Sequence, residues 1–196
     1  MKRRALFAAM ALLLTGCGAL KAPPTDSFYR LDIAFPDPAE GAASRPQIVF
    51  LPTFQASGLH GERALVFAHK DGTTLEQFNY HFWIESPRQM LQIALAQYLP
   101  VALGVETVTE PARSATHIVQ GRLIRFEQAQ DGTSERATAE IEFKVYAKRS
   151  EAPLFTERYR ADVDIEGTPA AIAKGLSVAI ASIYSKLSDD LRGIFQ

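Results

Sequence analysis

The stretch Arg136-Ala137-Thr138-Ala139-Glu140-Ile141-Glu142-Phe143-Lys144-Val145-Tyr146-Ala147 decides the fold class. Ala137, Ala139, Ile141, Phe143, Val145 and Ala147 alternate with Arg136, Thr138, Glu140, Glu142, Lys144 and Tyr146. A period of two gives a strand one buried face and one polar face. Glu140 and Glu142 then fall on the polar face, where solvation accounts for them better than acid–base catalysis. Backwards from this strand, Asp131-Gly132 is a turn pair, and Thr116 to Gln128 before it is a long candidate strand. Forwards, Leu154 to Ile165 sets Phe155, Tyr159, Ala161, Val163 and Ile165 on one side. Three consecutive strands of this kind predict an antiparallel meander.

A half-apolar sheet needs a cover. Thr168-Pro169 opens a helix in which Ile172, Leu176, Ile180, Ile183, Leu187 and Leu191 form an apolar stripe. Another helix starts at Ser86-Pro87-Arg88-Gln89: Ser86 can cap, Pro87 suits the first helical position, and Gln89 completes a capping box. Its apolar face is Leu91, Ala94, Leu95, Tyr98 and Leu99, with Pro100 and Gly104 closing it. Short strands are read at Phe28–Ile33, Gln47–Leu51, Arg63–His69 and Thr73–Tyr80, the last pair joined by a turn at Asp71-Gly72. Phe35–Pro46 is a loop, and Gln55–Gly61 an irregular surface connection. The expected fold is α+β: a mostly antiparallel sheet with two main helices packed on one face, a two-layer sandwich.

The chain has 196 residues, 47% hydrophobic and 22% charged, which is ordinary for a folded protein. Its first residues do not belong to the domain. Met1-Lys2-Arg3-Arg4, an apolar run from Ala5 to Leu14 and then Thr15-Gly16-Cys17 have the order of a secretory signal peptide, and the run is too short to span a bilayer. Cleavage before Cys17 removes three cations, leaving 18 Lys+Arg against 22 Asp+Glu, a charge of −4 over 180 residues. That balance offers no basic field for nucleic acid. The expected organisation is a signal peptide at 1–16, a lipidated N-terminus and tether at 17–27 containing Pro23-Pro24, and one periplasmic α+β domain at 28–196.

Cys17 is the only cysteine, and Leu14-Thr15-Gly16-Cys17 resembles the bacterial lipobox, which implies a diacylglyceryl thioether on Cys17. Two or three acyl chains anchor a protein essentially irreversibly, each buried CH₂ contributing about 0.8 kcal/mol. Gly18 rather than Asp after the cysteine favours the outer membrane under the sorting rule known for enteric lipoproteins. No cofactor is expected beyond this covalent lipid.

Chemistry elsewhere is sparse. His60, His69, His81 and His117 fall in different elements without a His-Glu-x-x-His run, so no metal site is read. There is no Gly-x-Ser-x-Gly elbow, Walker loop or dinucleotide fingerprint, and Ser57 sits in a plain glycine-containing loop. No catalytic residue is assigned. Phe78-Asn79-Tyr80-His81-Phe82-Trp83 is the unusual segment, with four aromatics in six residues. One strand face cannot take both Phe82 and Trp83, so at least one ring is expected near the surface. Two readings stand: core packing around the helix start, or a partner-binding role for Tyr80, Phe82 or Trp83.

With these residues in view, the chain resembles the ABC-type transport auxiliary lipoproteins. The resemblance rests on the lipobox at Cys17, Phe28-Tyr29-Arg30-Leu31, the run from Ser57 to Val66, and Tyr80-His81-Phe82-Trp83-Ile84-Glu85-Ser86-Pro87 leading into Met90-Leu91. It implies a non-catalytic subunit of an envelope system that moves lipids between membranes. The implied partners are a periplasmic MCE-domain protein and an inner-membrane permease or ATPase, with a homo-oligomeric ring as one form of docking. Two alternatives stay open. One is an envelope lipoprotein that regulates or scaffolds cell-wall synthesis or lipopolysaccharide assembly. The other is a lipid shuttle with a cavity inside the sandwich, next to Ala137, Ala139 and Ala147.

Overall fold

The computed structural model describes residues 24–38 and 47–195. The expected signal peptide, Cys17 and most of the expected tether lie outside them. Among the described residues, nine strands form one sheet: β1 (Ser27–Tyr29), β2 (Ile48–Phe50), β3 (Gln55–Ala56), β4 (Ala64–Ala68), β5 (Leu75–Trp83), β6 (Glu106–Val108), β7 (His117–Asp131), β8 (Ser134–Ala147) and β9 (Phe155–Ile165). Helix α1 spans Pro87–Leu103 and α2 spans Pro169–Phe195.

The meander forms as the alternation requires. β8 pairs antiparallel with β7 on one side and β9 on the other, from Asp131↔Ser134 to His117↔Ala147 and from Glu135↔Ile165 to Val145↔Phe155. Ala137, Ala139, Ile141, Phe143 and Val145 are fully buried. The opposite face is a ladder of charge: Arg125 and Arg158 flank Glu140 at 3.8 and 3.5 Å, and Arg158 also reaches Glu142 at 3.6 Å. The two carboxylates are thus occupied by arginines.

The sheet as a whole is mixed rather than mostly antiparallel. The free edge of β7 is met end to end by three short parallel strands, with Val49 opposite His117, Gln55 opposite Arg122, and Phe67 opposite Gln128. β2 is also parallel to β6, and β1 to β5. Parallel neighbours require a crossover, and α1 carries the chain from β5 back to β6. Strands of two to five residues are too short to carry an alternation that reveals their direction. Among the described residues, only β4–β5 is antiparallel outside the meander, turning at Gly72, where φ is +66°. There the Asp71 carboxylate accepts the amides of Thr73 and Thr74 at 2.9 and 3.0 Å, which holds it well below the usual carboxylate range.

All six stripe residues of α2 are buried, and the Thr168 hydroxyl accepts the Ala171 amide at 3.2 Å. By length and composition α2 could cross a membrane, yet 56% of its most apolar window is buried inside the domain. It seats closely on the sheet at Gly175, where an added Cβ would lie 2.7 Å from the Ala137 Cβ. The small residues facing the helix are therefore contact points. In α1, Leu91, Leu95, Tyr98 and Leu99 are buried, and the Tyr184 hydroxyl of α2 donates to the Leu91 carbonyl at 2.8 Å.

Two expected helix signals differ. Ser86 precedes α1 without a side-chain cap; its carbonyl instead accepts the Gln89 and Met90 amides, both at 3.0 Å. Pro100 lies inside the helix, which continues to Leu103 and ends at Gly104, φ +67°.

Candidate partner-binding surface

β4 and β5 lose register in the aromatic segment. Ala64 pairs with Phe82 and Val66 with Gln77, so Leu65 alone faces the four residues Phe78–His81. The surplus bows out of the ladder as a wide bulge. Tyr80 sits at its apex with φ +64°, the one positive φ outside glycine among the described residues. A bulky side chain adopts that conformation only when its surroundings fix it.

The fixing contacts flank it. Phe78 packs on Phe67 at 4.7 Å between ring centroids. His81 Nδ1 and the Tyr29 hydroxyl share a hydrogen bond of 2.9 Å. Beyond them, the Trp83 amide donates to the Arg63 carbonyl at 2.6 Å, and Arg63 Nε returns a bond to the Trp83 carbonyl at 3.1 Å.

The three candidate residues of the segment part company. Trp83 is 1% exposed and packs on Phe126 at 5.2 Å, so its indole belongs to the core. Phe82 is half-buried against Phe28 of β1 at 5.9 Å. Tyr80 is 45% exposed. Phe28, 55% exposed beneath the Arg63 guanidinium at 5.7 Å, and the exposed Ile84 extend the apolar surface along this edge. Phe28 reads in sequence as one member of a strand; only its place on an edge strand leaves it open. Cys17, the expected lipid-attachment residue, lies outside the described residues.

The loop expected at Gln55–Gly61 is more ordered than its composition implies. It holds β3 and a 3-10 turn at Gly58–Gly61, and His60 is buried with Nε2 2.6 Å from the Glu127 carboxylate on β7. Arg125 stands 3.9 Å from the same carboxylate. A buried charge needs partners, and the turn delivers one. Ser57 is exposed on the near side of the turn. The histidines do not converge: among the described residues no three His, Cys, Asp or Glu side chains come together as metal ligands.

The residues from Ser57 to Val66 and from Tyr80 to Pro87 thus interlock through Arg63 and Trp83 as one seam between β4, β5 and α1. The profile of the ABC-type transport auxiliary lipoprotein components matches residues 29–187, which includes this seam and both helices. The chain belongs to that family.

Its membership makes it an auxiliary component of a transport system, and a lipid-anchored envelope protein. No curated protein matches it in sequence. Among solved structures it is similar to protein XCC0632 from Xanthomonas campestris, of family DUF330: the TM-score is 0.72 at 14% identity, over 85% of this chain and 95% of that one. It is also similar to an uncharacterized protein with a TM-score of 0.68, at 14% identity over 88% of this chain and all of the other. At such identities the likeness is one of fold.

Proposed function

We propose that this lipoprotein is anchored through Cys17 in the outer membrane and docks a periplasmic MCE-domain assembly. Through that assembly it serves an inner-membrane permease and ATPase that move lipid between the membranes. The observation that carries docking is Tyr80, a large exposed aromatic side chain held in a left-handed conformation between the half-buried Phe78 and His81, which are fixed by Phe67 and Tyr29. Strain of this kind costs of order 1–3 kcal/mol and collects at functional positions. Tyr80 and Phe82, with Phe28 beside them, are the proposed contacts; Trp83 supports them from the core. The lipobox and Gly18 support the anchor and its membrane. A ring of several copies would repeat the contact around a ring-shaped partner.

The test is a gentle pull-down of the lipidated protein from envelopes, with the recovered proteins identified by mass spectrometry. The expected result is an MCE-domain protein with its permease, lost in Tyr80→Ala. Recovery of a cell-wall synthase or a lipopolysaccharide-assembly protein instead would overturn the proposal.

A further inference from the structure

A groove of about 670 Å³ runs between the chain at residues 28–34 and the first half of α2. Its size lies within the ~300–1,000 Å³ usual for small-molecule sites. Phe28, Ile33, Val178 and Ala181 line its apolar part, and Arg30 and Lys174 reach it as cations. Val178 is 50% exposed although it stands on the core helix. Arg30 and Lys174 form no ion pair or hydrogen bond among the described residues. The wall opposite α2 is pinned: the Asp32 amide donates to the Ser177 hydroxyl at 3.1 Å, and that hydroxyl donates to the Ala173 carbonyl at 2.9 Å. Asp32 is the one acidic side chain on the groove.

The chemistry selects an occupant. A peptide laid along α2 would find the helix amides already bonded within the helix and, on the opposite wall, the Asp32 amide taken by Ser177, so its backbone groups would find few partners. A hydrocarbon chain has no such groups, and it matches the methyl-lined surface. The two unpaired cations complement an anionic head at the end of that chain. The groove also opens within reach of the membrane, since the eleven positions from Cys17 to Phe28 span at most about 40 Å. We infer that the groove between residues 28–34 and α2 binds one acyl chain of a membrane phospholipid, its phosphate held by Arg30 and Lys174. This deepens the proposed function, resting on that reading for the membrane as the source of the ligand. It also moves lipid contact from the filled interior to the outer side of α2.

The test places a photo-crosslinking benzoylphenylalanine at Val178 of the full-length protein, in cells labelled with radioactive phosphate. The diacylglyceryl group on Cys17 contains no phosphorus, so a labelled adduct reports a separate phospholipid. The expected yield is several-fold above that of the same reporter at Leu154, an exposed apolar residue just before β9. Lys174→Glu should lower it about fivefold, equivalent to about 1 kcal/mol. A reporter at Ala181, which also lines the groove, gives a second reading should the Val178 variant not accumulate. A yield equal to that at Leu154 would overturn the site, and an adduct to a second copy would reassign the groove to self-association. Co-purification of the MCE-domain protein from the same cells is scored separately, so loss of the transport reading and loss of the lipid site are distinguishable.

Discussion

Thr107 donates its hydroxyl to the Ala96 carbonyl across 2.6 Å, and Pro100 is the reason that carbonyl is free. In a regular helix the amide of residue 100 would bond to residue 96; proline has none. β6 therefore supplies the missing donor and lets α1 run another turn to Leu103. Thr107→Val should cost about 1–2 kcal/mol in urea unfolding. In a Pro100→Ala background the restored amide takes over, and the cost should shrink to about half or less. Equal costs in both backgrounds would refute the coupling.

Tyr159 of β9 donates to the Asp190 carboxylate of α2 at 2.5 Å. Burial, and then that carboxylate, push its phenol far above the ordinary range, and burial does the same for Tyr184. An unfolded tyrosine loses its proton near pH 10 while these retain theirs, so their contribution is complete below about pH 10 and falls as pH rises further. Tyr159→Phe should cost about 1 kcal/mol at neutral pH. It should also flatten the alkaline loss of stability, read from urea midpoints between about pH 8 and 11.

Gly175→Ala adds a methyl group where the Ala137 Cβ and Ile165 Cγ2 stand 2.7 and 2.6 Å away. Alanine is the better helix former by about 1 kcal/mol, but overpacking here should win and destabilise by about 1–3 kcal/mol. A rise in melting temperature would mean that slack space exists beneath α2.

Neighbouring aromatics should separate cleanly. Trp83→Ala should cost about 3–5 kcal/mol as a core truncation. Tyr80→Gly, which suits φ +64° better, should stay within about 1 kcal/mol of the parent while partner capture falls. Matched losses of stability would place both rings in the core.

Cys17→Ser should block lipidation, leaving an uncleaved precursor or a protein released from membranes. Sedimentation of a mature serine variant with the membrane fraction would refute the anchor.

The meander and α2 were legible because each carries a long periodic run: β8 buries every second residue from Ala137 to Val145, and α2 repeats its stripe from Ile172 to Leu191. β3 has two residues and no period to read. His60 is surrounded by loop-forming glycines, and only its distant partner Glu127 explains its burial. Pro100 reads as a stop because the donor that rescues the helix comes from β6. At the candidate surface, the crowding of rings was visible in sequence, but which ring turns outward depended on the bulge opposite Leu65, a pairing of two strands.

The three short strands on the edge of β7 also impose an order on assembly. Val49, Gln55 and Phe67 find their β7 partners only in residues that follow α1 and β6 in the chain. The N-terminal part of the chain is synthesised first and must wait for its template. Until residues 117–131 arrive, β2 and β3 present unpaired backbone that other chains could capture. A chain truncated before His117 should aggregate rather than form a smaller domain.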